Sequence, residues 1–464
     1  PFLGLILKYG GIMSTIAAIS TAKGIGGIGV IRISGDDAIK IASKVFVPFN
    51  NSTKVMDMKG YTAKYGKVTK NGEVIDEAVL LIFRAPYSYT GEDVAEISCH
   101  GGLFVTREVL RAVLDEGAVL AGPGEFTKRA FLNGKVDLSQ AESVMDIISA
   151  RGKRANRIAQ SQRDGVLSKK INAIKEKLLE ISASLSVWAD FPEEDIPEVD
   201  SEKLAGDLKE AKSEISKLIK NYDRVLTDGV KTVIVGRPNV GKSTLMNLIS
   251  GVEKSIVTDI AGTTRDMVEE TVMVGDIPLL LVDTAGIRET DDVVEKIGVG
   301  RAKKSINDSD LNILILDASQ PLTAEDLEIM KLCDASKTIV VLNKIDLGMK
   351  INPGDLSSFS GRIVEMSALN YEGEEEFRAM LQKVVAVSEV EPSEALISNE
   401  RQFTAMKRAF EMVDSAAEDL KSGITLDAVT VLIQNAVSEL MSLTGENVNI
   451  ETVNKIFSKF CVGK

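Results

Sequence analysis

Gly236-Arg-Pro-Asn239-Val240-Gly241-Lys242-Ser243 fits the pattern G-x-x-x-x-G-K-[ST]. The run before it, Val230-Lys-Thr-Val-Ile-Val235, is apolar and β-branched, as a buried strand is. Behind it, Thr244-Leu-Met-Asn-Leu-Ile249 reads as a helix whose N-terminus faces an anion. In such a loop the glycines let backbone N–H groups close around phosphates. Lys242 adds a point charge at the β- and γ-phosphates, and the Ser243 hydroxyl is a ligand for Mg²⁺. Strand, loop and helix together predict a P-loop nucleotide site.

Three further stretches follow in order. Asp283-Thr284-Ala285-Gly286 comes after the apolar run 277–282. An Asp at the end of a buried strand can hold the Mg²⁺ shell, and Gly286 can bring its N–H to a γ-phosphate. Asn343-Lys344-Ile-Asp346 comes after the strand-like run 338–342. The Asp346 carboxylate can accept two N–H bonds from guanine, a pair that adenine does not offer, so GTP is expected over ATP. Ser367-Ala368 follows the run 362–366 and would complete the base pocket. Leu369 stands where many GTPases carry Lys. Between the loop and Asp283 lies Gly262-Thr263-Thr264, in which Thr264 is the expected switch ligand to Mg²⁺.

The residue after Gly286 is Ile287, whereas Ras-type enzymes orient the attacking water with Gln there. Asn239 offers a side-chain oxygen that could hold a monovalent cation near the phosphates and do the electrostatic work of an arginine finger. Glu295, further along, could orient water through a bridge. Read from the residues alone, Glu295 is more simply a solvated helix position.

The chain has 464 residues, enough for two or three domains, and 44% hydrophobic residues, enough for ordinary cores. With 55 Lys and Arg against 68 Asp and Glu, the net charge of −13 argues against a general electrostatic coating of nucleic acid, though not against a local basic patch. Cys99, Cys333 and Cys461 have no metal-ligand spacing, and His100 is the single histidine. A His/Cys zinc site and a Ser-His-Asp triad are therefore unexpected, and a reducing cytoplasm is the default. No apolar run is long enough to span a membrane. The apolar start lacks a basic lead and does not read as a signal peptide, and Met13 reads as a more natural start than Pro1.

Residues 15–19 and 29–33 read as strands. Between them Gly24-Ile-Gly-Gly-Ile-Gly29 matches G-x-G-x-x-G, but a strand follows where a dinucleotide site needs a helix. Further strands at 78–83 and 94–99 and a helix at 128–132 give an α/β domain ending near residue 130. From 138 to about 224 the spacing is helical, and it becomes so again over 401–422, 427–443 and 452–460. The economical reading is a multidomain α/β plus all-α chain. It has an N-terminal domain over 13–130, a helical domain over 131–225 and 386–464, and a Ras-like P-loop GTPase domain inserted at 226–385. Arg151, Lys153, Arg154, Arg157, Lys169 and Lys170 could meet RNA phosphates or form a solvated helix face. Cys461 reads either as a reactive thiol near the terminus or as a packed one.

Several stretches together resemble one family. They are the loop 236–243, Asp259-Ile260-Ala261-Gly-Thr-Thr-Arg-Asp266, Tyr89-Thr-Gly-Glu-Asp-Val94, Pro123-Gly-Glu-Phe-Thr-Lys-Arg-Ala-Phe-Leu-Asn133, Asp190-Phe-Pro-Glu-Glu-Asp195 and the ending Phe460-Cys-Val-Gly-Lys464. From Met13 to Lys464 the chain resembles the tRNA uridine-34 modification GTPases of the MnmE (TrmE) family. The resemblance implies an N-terminal folate-binding-like domain that forms a homodimer and takes 5,10-methylene- or 5-formyl-tetrahydrofolate through Arg32, Glu96, Lys135 and Lys464. It implies K⁺ at Asn239, Thr258, Ile260 and Thr263, and Mg²⁺ at Ser243 and Thr264. Catalysis would fall to Glu295 with Asn239 and Lys242. The GTP set would run through 239–244, Thr258, Asp259, Ile260, Ala261, Gly262, Thr263, Thr264, 283–286, Asn343, Lys344, Asp346, Ser367 and Ala368. It also implies an FAD-dependent partner, MnmG (GidA), in a cytoplasmic heterotetramer. That complex would add an aminomethyl or carboxymethylaminomethyl group to C5 of the wobble uridine of tRNA. Two stretches depart from the family: Asn399-Glu-Arg-Gln402 where many members carry Asn-Ala-Arg-His, and Ile25-Gly-Gly27 where many carry Arg-Gly-Gly. A ribosome-assembly or scaffold GTPase is the rival reading, and it has no use for a folate pocket.

Overall fold

A computed structural model describes residues 14–22, 24–50, 54–150, 152–190, 201–220, 222, 229–251, 270–274, 277–281, 305–385 and 394–464. The chain divides into two units. One holds Pro1–Met145, Ser161–Ile219 and Arg401–Lys464, and the other holds Asp146–Gln160 and Lys220–Glu400.

The first unit begins with a seven-stranded sheet in the order β3-β4-β5-β6-β2-β1-β7. Its strands are β1 (Ile16–Ile19), β2 (Ile28–Ser34), β3 (Phe46–Pro48), β4 (Thr62–Lys70), β5 (Glu73–Phe83), β6 (Val94–His100) and β7 (Val119–Leu120). Ile31, Ile33, Leu80, Ile82 and Ile97 are buried in one core with α1 (Ala38–Val45) and α2 (Leu103–Asp115). Side chains alternate along a strand, so Arg32, between Ile31 and Ile33, leaves by the opposite face. β2 and β6 are antiparallel with Arg32 opposite Glu96, which sets the two charged side chains side by side. The β4–β5 hairpin was not foreseen as a pair, because its outward residues are charged and hide the alternation. It turns through Asn71-Gly72, both at positive φ, the turn dipeptide that favours a two-residue hairpin. His100 ends β6 exposed, with Nδ1 2.7 Å from Asp76 Oδ1, in a surface pair.

Next come α3 (Glu125–Leu132), α4 (Leu138–Ser149), α5 (Lys153–Arg163), α6 (Val166–Asp190) and α7 (Ser201–Lys220). Arg129 of α3 is buried and bonds both Glu92 oxygens at 3.1 Å and Glu125 Oε1 at 3.0 Å. Of the basic residues weighed for RNA, Lys170 is paired with Glu214 at 3.1 Å. Arg151 and the Arg154 side chain lie outside the described residues.

The second unit carries a six-stranded sheet in the order β13-β12-β11-β8-β10-β9. These strands are β8 (Val230–Val235), β9 (Glu270–Val274), β10 (Ile277–Leu281), β11 (Leu311–Asp317), β12 (Thr338–Asn343) and β13 (Ile363–Glu365). All pairings are parallel except β9 with β10. A parallel sheet is covered on both faces, and β11 accordingly reads Leu-Asn-Ile-Leu-Ile-Leu-Asp with every residue buried. Two separate cores flank it, with α8 (Lys242–Gly251), α9 (Ala324–Leu332) and α10 (Glu374–Val385) among the covering helices. β8 lies between β10 and β11, and the loop after it opens at the carboxyl ends of the strands, where such sheets bind ligands.

The first unit resumes with α11 (Glu400–Lys421), α12 (Leu426–Thr444) and α13 (Ile450–Phe457). Ile171, Ile174, Leu178, Ile181 and Leu185 recur every three or four residues along α6 and are buried where α12 packs. Val453 and Phe457 of α13 pack with Phe131 and Leu138. That contact delivers the chain terminus to the first sheet. Val462 bridges Pro123, Gly124 N–H donates to the Cys461 carbonyl, and Ser20 Oγ donates to the Gly463 carbonyl. Gly463 sits at φ 95°, and a Cβ there would lie 2.5 Å from the Ile19 carbonyl oxygen. Only glycine lets the tail approach this closely. Cys461 is exposed, so the packed alternative is not the one found. Among the described residues no helix is long and apolar enough to cross a membrane.

Candidate functional site

The phosphate loop joins β8 to α8. Asn239 takes a left-handed backbone at φ 62°, a region that Asn enters more readily than most residues with a side chain. Gly241 follows at φ 103°, and a Cβ there would lie 2.1 Å from Asn343 Nδ2. Buried Asn343 ties three segments: Nδ2 donates to the Val240 carbonyl at 2.8 Å, and Oδ1 accepts from Ala368 N–H at 2.9 Å. Lys242 Nζ donates to the carbonyls of Gly236 and Arg237, each at 2.7 Å, and burial lowers its pKa against a weaker opposing pull from Glu325. Arg237 Nε pairs with Asp326 Oδ1 at 2.8 Å, and the other Asp326 oxygen accepts from Thr323 at the start of α9.

Asp346 is exposed on the turn Ile345–Leu347. Among the described residues the buried Ser367 Oγ has no partner. An unsatisfied hydroxyl in a dry site costs about 1–3 kcal/mol and is the kind of group a ligand satisfies. The cradle at Gly241, the ammonium of Lys242 and this hydroxyl suit a nucleotide. Ser243 and Thr244 open α8 beside them. Thr258, Asp259, Ile260, Ala261, Gly262, Thr263, Thr264, Asp283, Thr284, Ala285, Gly286 and Glu295 lie outside the described residues.

A second site forms in the first unit, where Arg32, Glu96 and Lys464 line a cavity of about 310 Å³. Arg32 Nε is 2.7 Å from Glu96 Oε1, and Nη1 donates to the Gly463 carbonyl at 3.4 Å. The guanidinium lies 5.5 Å from the Tyr89 ring centroid and 5.6 Å from that of Phe126, within cation–π range. Burial, then the charges of Arg32 and Arg163, push the Lys464 pKa below the ordinary lysine value. Three cationic side chains face one carboxylate, so the cavity suits a ligand with anionic and N–H donor groups. Lys135 is not brought there: its Nζ donates to the Pro86 carbonyl at 3.0 Å. Tyr89 and Arg163 line the cavity and were not foreseen as ligands. Tyr89 did stand in a quoted motif, but nothing in the sequence singles out Arg163.

Fold and loop define a P-loop GTPase domain set in a helical domain behind an N-terminal α/β domain. Residues 15–135 match the family model described as GTP-binding protein TrmE N-terminus, and residues 138–461 match that of the MnmE helical domain. A tRNA modification GTPase MnmE of Thermoanaerobacter pseudethanolicus is 44% identical over 460 residues, covering 98% of this chain and 100% of that protein. One from Clostridioides difficile is 43% identical over 458 residues, again covering 98% and 100%. Among solved structures, the G domain of the T. maritima FeoB iron transporter is 28% identical, covering 34% of this chain and 98% of that one, with a TM-score of 0.25. The chain belongs to the MnmE family of tRNA modification GTPases.

Gly241→Ala drives a methyl into Asn343 and breaks the tie between loop and base segment. Fluorescent GDP should bind about a hundredfold more weakly, the cost of roughly 3 kcal/mol for two displaced buried hydrogen bonds. Wild-type affinity in the variant would contradict the tie.

Proposed function

We propose that this GTPase works with an FAD-dependent partner of the MnmG type to add an aminomethyl or carboxymethylaminomethyl group to C5 of uridine 34 in tRNA. The observation that carries the reading is the cavity at Arg32, built from both ends of the chain and rich in positive charge. A ribosome-assembly or scaffold GTPase has no need of it. Tetrahydrofolate bound there would supply the one-carbon unit. Arg32, Arg163 and Lys464 suit its carboxylates, and Glu96 suits its N–H groups.

In the GTPase domain, Ser243 and Thr264 would hold Mg²⁺. Asn239 would hold K⁺ with Thr258, Ile260 and Thr263, and Glu295 would orient water. Lys242 would exchange the loop carbonyls for phosphate oxygens. Asp346, Ser367 and Ala368 would select guanine, with Asn343 holding their segment to the loop. The functional division is an N-terminal domain over 13–130, a helical domain over 131–225 and 386–464, and an inserted GTPase domain over 226–385. Homodimer assembly and a cytoplasmic site of action complete the reading.

GTP hydrolysis is expected to be faster in K⁺ than in Na⁺, and Glu295→Ala to slow it with GTP affinity retained. Equal rates in the two salts would remove the cation role, and lost affinity would make Glu295 structural. Deleting the gene should leave wobble uridines without the C5 group, as read by mass spectrometry of tRNA nucleosides. Fully modified tRNA in the deletion strain would overturn the proposal.

A further inference from the structure

The backbone of Asn239 is held from outside the loop. Lys344 Nζ donates to the Asn239 carbonyl at 2.8 Å and, with the same ammonium, to Asp317 Oδ2 at 2.7 Å. Lys344 is itself left-handed at φ 66°, so two left-handed residues, one of them a lysine that rarely adopts this region, are joined by one hydrogen bond. Asp317 ends β11 and its side chain is 5% exposed. Its other oxygen accepts from the backbone N–H of Ser319 at 3.0 Å and from Ser319 Oγ at 2.6 Å, which fixes the carboxylate. Burial pushes the Asp317 carboxyl up, but the Lys344 ammonium and the two Ser319 donors outweigh it and hold it below the ordinary value. The carboxylate therefore stays charged at neutral pH and keeps Lys344 aimed at the loop.

We infer that Asp317 is a positioning residue for the phosphate loop. Through Lys344 it locks Asn239 in its left-handed turn, so that the loop presents its N–H groups to phosphate before nucleotide arrives. The Arg237–Asp326 pair holds the start of the same loop and Asn343 holds it at Val240, while the Lys344–Asp317 brace acts on the Asn239 carbonyl itself. A rigid cradle binds more tightly than one that must be ordered on binding, because the ordering cost is already met. The inference rests on reading the loop 236–243 as the phosphate cradle of this chain.

The test uses the full chain and fluorescent GDP. Asp317→Asn keeps the shape and removes the charge, Lys344→Met removes the other half, and the double variant closes a thermodynamic cycle. Asp317→Asn is expected to raise Kd about tenfold, with the nucleotide-free chain still folded by circular dichroism. The double variant is expected to bind no more weakly than Lys344→Met alone, since the two residues act as one brace. Wild-type Kd in Asp317→Asn would overturn the inference, and so would losses that multiply in the double variant. Failure of the wild-type chain to bind fluorescent GDP would instead overturn the assignment of the loop itself.

Discussion

A guanidinium cannot shed its proton, so Arg32, with its side chain 17% exposed, has to be satisfied where it stands. Its partners come from four places in the chain. The β2–β6 register supplies Glu96, the loop before β6 supplies the Tyr89 face, α3 supplies the Phe126 face and the terminus supplies the Gly463 carbonyl. Slipping the register by one residue would turn Glu96 to the helix-covered face and leave the charge unpaired. Sheet pairing, the seat of α3 and the path of the tail are thus tied to one largely covered cation. Among the described residues Arg32 shares its carboxylate with no second cation at hydrogen-bond distance, so positive charge remains at the cavity.

In the GTPase domain Asn343 has the corresponding part. A single buried amide joins the phosphate loop to the segment that carries Ala368 and the Ser367 hydroxyl, which has no partner among the described residues. The phosphate loop and the Ala368 segment are then held at a fixed spacing by the end of one strand. Both sites follow the same logic: rigid strands fix a polar side chain, and that side chain positions loops which carry the ligand groups.

The sequence reading was sharpest where hydrophobic runs are long. The strand at 230–235 matches β8 residue for residue, and the helices after 400 fall within three residues of their observed ends. It missed β4 because lysines and glutamates face outward along that hairpin, although Asn71-Gly72 marked its turn. The nucleotide loop was legible because its chemistry is local, eight consecutive residues with a fixed pattern. The cavity was not. Arg32, Glu96, Arg163 and Lys464 meet only because the sheet register and the docking of α13 bring distant segments together. Resemblance supplied three of those residues, but it also supplied Lys135, which is held at the Pro86 carbonyl instead. Arg163 comes from α5, and no periodicity or spacing marks it out from neighbouring basic residues.

The role proposed for this protein requires that the cavity take a folate. Calorimetric titration of the wild-type chain with 5-formyltetrahydrofolate tests it directly. Saturable binding at one site per chain is expected, weakened at least about tenfold in Lys464→Met, which removes one of the charges lining the cavity. No detectable heat with the wild-type chain, or equal affinity in the variant, would contradict it.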